Sequence, residues 1–118
     1  MDTTKEGFYR ISYTNEDGDS GMGILCLETG TIVGCGIGGD FWDGTYTFNS
    51  REDTLEGKLK ITFPQGPSSR STLSGKDYST EGGNEEISIS LRRDFNEAVV
   101  PLEVPGFKIL NVKIQKIR

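Results

Sequence analysis

Hydrophobic and polar residues alternate along most of this chain. In five stretches large apolar side chains occupy every second position, and polar or charged residues mostly fill the positions between them. These stretches are residues 9–13, 45–48, 58–63, 87–92 and 110–115. A period of two is typical of antiparallel strands with one face on the core and the other in water. No stretch sustains the 3.6-residue period of an amphipathic helix over three turns.

Turn-forming residues divide the alternating stretches into separate strands. Asn15–Asp19 and Thr29-Gly30 are predicted hairpin turns, because Asn, Asp and Gly tolerate left-handed backbone angles. Glu56-Gly57 marks either a turn or a bulge. Strands are predicted at residues 7–14, 21–28, 31–36, 44–49, 58–63, 86–92 and 107–116, with an eighth near 72–75.

Two segments depart from the alternation. Residues 64–84 are polar and rich in Gly and Ser, which predicts a mobile loop within the domain. Residues 92–98 are predicted to form at most one short helical turn, since Asp94 can cap it and Pro101 would end it.

The order of these elements predicts an all-β fold. With 118 residues the chain forms a single domain, 1–118. A single antiparallel meander of about eight strands closes best into a small barrel, because closure removes exposed strand edges. The first and last strands would then pair. An open sandwich is the structural alternative.

Several short motifs give the chain a family resemblance. Gly7–Ile11, Gly21–Leu25, Gly38-Gly39-Asp40 and Gly44–Tyr46 resemble the opening of the GrlR-type proteins, which are negative regulators of type III secretion with uncharacterised bacterial relatives. The stretches 94–96, 105–107 and 111–118 resemble the tail of those relatives. The resemblance covers most of the chain and is weakest at 64–84.

The resemblance implies a lipocalin-like barrel that forms a homodimer and acts by binding another protein. In the GrlR family an exposed acidic stretch contacts the activator that the regulator silences. The corresponding segment here is Asn49–Thr54, in which Glu52 and Asp53 keep the acidic character and Arg51 interrupts it. Glu52 and Asp53 are therefore candidate partner-binding residues.

Composition narrows the range of partners. Thirteen Lys and Arg against eighteen Asp and Glu give a net charge of −5, which opposes binding to nucleic-acid phosphates. No apolar run approaches the roughly 20 residues of a membrane helix, and the N-terminus carries no secretion signal. We therefore expect a cytoplasmic protein in which Cys26 and Cys35 are free thiols.

Candidate chemistry is sparse. Histidine is absent, which removes the usual general base and the commonest metal ligand. Asn15, Asp17 and Asp19 have the spacing of a calcium loop, but the sixth and twelfth positions do not fit. We therefore predict a protein that is not an enzyme and that needs neither a cofactor nor a metal.

Asp40 and Trp42 form a second candidate surface directly after a cluster of four glycines at positions 34, 36, 38 and 39. Asp40 is expected to bond backbone amides of a turn, although Asp40 and Asp43 together could also be read as a glycosidase-like pair. Trp42 belongs either to the rim of the core or to a binding surface.

Two functions from different classes are compatible with the sequence. The first is a regulatory or adaptor protein that covers a functional surface of a partner protein, such as a transcription regulator. The alternative is a carrier or sensor whose barrel holds one small apolar ligand. The inward aromatic set favours a filled interior, and it consists of Tyr9, Tyr13, Tyr46, Phe48 and Phe63.

Overall fold

The protein is an eight-stranded antiparallel sheet. The computed structural model describes residues 6–15, 18–67, 69–71, 74–92, 97–102 and 110–117, and no helix occurs among them. The strands are β1 Gly7–Thr14, β2 Ser20–Glu28, β3 Thr31–Gly36, β4 Phe41–Asn49, β5 Thr54–Phe63, β6 Gly83–Arg92, β7 Glu97–Leu102 and β8 Leu110–Lys116. The all-β prediction is confirmed.

Connectivity forces this sheet to curl. The strand order is β6-β5-β4-β3-β2-β1-β8-β7, so the two outermost strands are neighbours in the sequence. In a flat sheet of eight strands, these two edges would lie about 34 Å apart. The five-residue step from Arg92 to Glu97 spans at most about 18 Å. The sheet is accordingly a curled half-barrel, and within the described residues no ladder joins β6 to β7.

The predicted contact between the first and last strands is confirmed. Strand β1 pairs with β2 along one edge and with β8 along the other, with Ile11 opposite Gly23 and Ile114. The inner face of the sheet carries the core predicted from the alternation. Its most deeply buried members are Tyr9, Ile32 and Leu55.

Three local predictions differ from the structure. Gly57 lies mid-strand in β5, in unbroken register with Tyr46 and Ile89, so it marks neither a turn nor a bulge. The eighth strand is β7; of the strand predicted near 72–75, Ser74 and Gly75 lie outside any strand and residues 72–73 lie outside the described residues. Glu97 and Ala98, expected in a helical turn, belong to β7; Asp94 lies outside the described residues. Pro101 is accommodated because β7 is an edge strand.

The connections fall at two ends of the half-barrel. The β1–β2, β3–β4 and β5–β6 connections share one end, which we call the loop end, and the β2–β3 and β4–β5 turns lie at the other. Mobility of residues 64–84 remains a prediction. Much of this segment nevertheless packs on the loop end: Ser69, Ser71 and Tyr78 are buried, and Arg70 and Asp77 form an antiparallel bridge.

Candidate functional site: an apolar cavity in the half-barrel

The inner face of the curled sheet encloses a cavity of about 350 Å³. Apolar side chains from six of the strands form most of its wall. Representative lining residues are Ile11, Leu25, Ile61, Phe63, Ile87 and Ile114. The volume lies within the range of about 300–1,000 Å³ that is usual for small-molecule sites. The large inward aromatics therefore do not fill the interior.

Two glycines on the inner face of β2 explain why the aromatics leave this space. A Cβ atom at Gly21 would lie 2.5 Å from the Tyr13 ring, and one at Gly23 would collide with the Trp42 ring. Both rings therefore lie against bare backbone instead of projecting into the centre. Their centroids are 6.5 Å apart in a tilted arrangement, and together they form one wall of the cavity at the loop end.

A carboxylate fixes the Trp42 ring at this wall. The indole Nε1–H donates to Asp40 Oδ2 over 2.6 Å. Asp40 is half-buried and ends the β3–β4 connection, where its carbonyl oxygen accepts from the Gly36 N–H at 2.9 Å. The side chain of Asp40 thus bonds an indole, not the turn amides expected from the sequence. Asp43, the other half of the glycosidase-like pair, is exposed on the outer face.

Burial and charge both act on Tyr13. Desolvation, followed by the nearby charge of Asp40, raises the pKa of the Tyr13 phenol to about 12. Tyr13 is therefore a neutral hydroxyl at physiological pH, able to donate one hydrogen bond and to accept others. The loop end of the cavity thus offers a neutral hydroxyl close to a carboxylate.

The β5–β6 connection closes part of the loop end, and Glu85 holds it there. Glu85 is 6% exposed and accepts three hydroxyl hydrogen bonds. Its Oε1 accepts from Ser71 at 2.5 Å, and its Oε2 accepts from Ser74 at 2.5 Å and from Tyr78 at 2.8 Å. The Tyr78 ring also stacks on Phe63, with centroids 4.7 Å apart.

An ion pair connects the same segment to the β1–β2 hairpin. Arg70 Nη2 lies 3.5 Å from Asp19 Oδ2, and both side chains are about half exposed. Pairs of this exposure contribute little stability, about 0–1 kcal/mol. Arg70, Ser71 and Asp19 all line the cavity. The connection therefore forms a partial lid whose firm attachment is Glu85 and whose weak attachment is Arg70.

The four residues predicted as a partner surface separate into two places. Trp42 is 4% exposed and belongs to the core, with Asp40 beside it at the loop end. Glu52 and Asp53 are exposed in the β4–β5 turn, at the opposite end of β4. With about 3.3 Å per residue along a strand, the two pairs lie roughly 30 Å apart. They do not form one site.

Among the described residues no cluster of three or more His, Cys, Asp or Glu side chains is placed to hold a metal ion. The described part of the chain likewise contains no helix with the length and apolar character needed to cross a membrane.

Comparison with known proteins found no matching family model and no matching curated protein.

Proposed function

We propose that this protein binds, without catalysis, one small apolar molecule in the half-barrel, as a carrier or sensor. The observation that carries the proposal is the cavity of about 350 Å³ with its predominantly apolar wall. An apolar cavity of this size gains free energy when a ligand covers its wall. A cytoplasmic setting is part of the proposal, in keeping with the free thiols of Cys26 and Cys35.

The cavity volume limits the size of the ligand. At roughly 30 Å³ for each water-sized group, it holds about a dozen non-hydrogen atoms. 1-Decanol, with about eleven such atoms, is a suitable probe. A gain of about 0.6 kcal/mol per atom lies within the usual limits for small ligands and corresponds to a Kd of about 10–20 μM.

Titration calorimetry with 1-decanol tests this proposal. We expect one molecule to bind per chain, with a Kd in the low tens of micromolar. The heat capacity of binding should be negative, because apolar surface leaves water. Heats no larger than those of dilution at both of two well-separated temperatures, at ligand concentrations up to the solubility limit, would contradict ligand binding in the half-barrel.

The outer sheet face supports a second candidate, a protein-binding module of the kind that the resemblance implies. Phe8, Cys26 and Val33 lie side by side on three adjacent strands. Ile24 lies beside Cys35, and Cys35 beside Phe41, in the next row. Val33 and Phe41 are 61% and 62% exposed. With a third row that holds the exposed Met22 and Ile37, this outer patch covers about 400 Å².

A second copy of this chain is the occupant that the outer patch fits. A standard interface buries about 800 Å² on each partner, and a little over half of that area is apolar. Arg10 and Asp43 lie at opposite sides of the patch, next to Ile24 and Val33 respectively. In a two-fold dimer they can pair reciprocally. The acidic turn of Glu52 and Asp53 is exposed and lies outside this patch, where a partner protein could reach it.

Sedimentation of the Val33→Asp variant tests the dimer. We expect the wild-type chain to be dimeric at micromolar concentration and Val33→Asp to be monomeric, since a buried unpaired carboxylate is costly. Ser88→Asp, at an exposed outer position of β6 away from the patch, should remain dimeric. A wild-type monomer, or a dimeric Val33→Asp variant, would contradict the dimer.

A further inference from the structure

We propose that Asp40 makes the cavity select its ligand by head group, favouring neutral and cationic heads over carboxylates. The ligand class is thus a small lipophilic alcohol or amine rather than a fatty acid. This inference rests on the proposed function, because it concerns the ligand of the same cavity. It assigns Asp40 a specificity role instead of the partner-binding role predicted from the sequence.

The charges that line the cavity leave Asp40 in excess, since the buried Glu85 lies outside the lining and accepts three hydroxyl hydrogen bonds. Among the described lining residues only Asp19, Asp40 and Arg70 are charged, and all three lie at the loop end. Asp19 and Arg70 pair with each other at 3.5 Å and largely offset one another. Asp40 is half-buried, so water screens its charge less than that of a fully exposed carboxylate. A ligand head entering here meets a net negative charge.

Hydrogen bonding at the same place favours heads that carry a proton. Among the residues that the structure describes, the Trp42 indole is the one donor bonded to the Asp40 carboxylate, and it uses Oδ2. Oδ1 is therefore an acceptor for a ligand donor. The neutral Tyr13 hydroxyl lines the same wall and can donate or accept.

The three common head groups differ in how they meet these two side chains. An alcohol can donate to Asp40 and accept from Tyr13, and an ammonium can donate to both. A carboxylate has no proton for Asp40 and adds a like charge in a partly desolvated site. The apolar wall is the same for all three, so the head group alone decides the preference.

Three ten-carbon probes separate the head group from the apolar tail. We expect 1-decanol and decylamine, below its micelle concentration at pH 7, to bind the wild-type protein at least tenfold more tightly than decanoate. Equal affinities for the three probes, or tightest binding of decanoate, would overturn the selectivity while leaving the proposed function intact. If none of the three probes binds, both the selectivity and the proposed function are overturned.

Asp40→Asn assigns the selectivity to this residue. The asparagine oxygen can still accept the Trp42 N–H, so the wall is kept while the charge is removed. Decylamine should bind at least fivefold more weakly and decanoate at least fivefold more tightly, with 1-decanol within twofold of wild type. The matched control Asp43→Asn, on the outer face of β4, which begins directly after Asp40, should leave all three within twofold. Unchanged preferences in Asp40→Asn, or the same shifts in Asp43→Asn, would overturn the assignment.

Discussion

Replacing Glu85 with alanine will destabilise the fold by about 3 kcal/mol, which is large for one substitution. The carboxylate accepts hydrogen bonds from Ser71, Ser74 and Tyr78, and Ser71 and Tyr78 are themselves buried. Hydrogen bonds to a charged group contribute about 1.5–3 kcal/mol each. Alanine also removes the desolvation cost of the carboxylate, so the net loss is smaller than their sum. Urea unfolding measures the change.

A matched control for Glu85→Ala lies next to Glu85 on β6. Glu86 is exposed on the outer face of β6, and Glu86→Ala should change stability by no more than about 0.5 kcal/mol. Limited proteolysis gives a second readout for Glu85→Ala, because trypsin should cleave after Arg70 or Lys76 faster once the segment is released. Equal stability of the two variants, with unchanged cleavage, would contradict the anchoring role of Glu85.

Replacing Ile89 with tryptophan will strongly weaken ligand binding by filling the cavity. Ile89 lines the cavity and is half-buried, so a larger side chain has space to extend inward. We expect 1-decanol affinity to fall at least thirtyfold while the protein stays folded, at a stability cost of about 1–3 kcal/mol from overpacking. Titration calorimetry measures the binding, and urea unfolding confirms the fold.

Ile117→Trp provides the control for an added indole. Ile117 follows β8 and is 56% exposed, so its replacement adds the same side chain outside the cavity. Binding of 1-decanol should stay within twofold of wild type.

Reversing the charge of the β4–β5 turn with Glu52→Lys and Asp53→Lys should also leave 1-decanol binding unchanged. The same change would weaken the binding of a partner protein that docks on the turn. Wild-type affinity in Ile89→Trp would place the ligand elsewhere.

Period-two alternation was sufficient to predict most of the fold. The alternation arises where one face of a strand is buried and the other is polar, as in β5, β6 and β8 and, apart from Phe8, in β1. Strand β7 was not predicted, because Ala98–Pro101 shows no alternation and Pro101 was expected to end an element. An edge strand can nevertheless contain a proline. Strand β4 was predicted to start late because Asp43-Gly44 resembles a turn. A Cβ at Gly44 would collide with the Lys58 carbonyl, so the glycine there serves close packing of β5.

The candidate site was harder to predict than the fold. The inward aromatics were identified correctly, but counting their size suggested a filled barrel. The missing signal was the pair Gly21 and Gly23 at inward positions of β2, which the rings of Tyr13 and Trp42 approach closely. The anchoring role of Glu85 could not be predicted from the sequence for a different reason. Its three hydroxyl partners lie 7 to 14 positions away in a segment without periodicity, so only the folded chain shows them together.

The most direct test of ligand binding in the half-barrel is the location of bound 1-decanol by intermolecular nuclear Overhauser effects. Isoleucine methyl groups report on both faces of the sheet: Ile61, Ile87 and Ile89 line the cavity, whereas Ile24 is exposed on the outer face. We predict contacts from the decanol chain to the methyl groups of Ile61, Ile87 and Ile89, with none to Ile24 on the outer face. Contacts to Ile24 alone, or no contacts at saturating decanol, would contradict a ligand site inside the half-barrel.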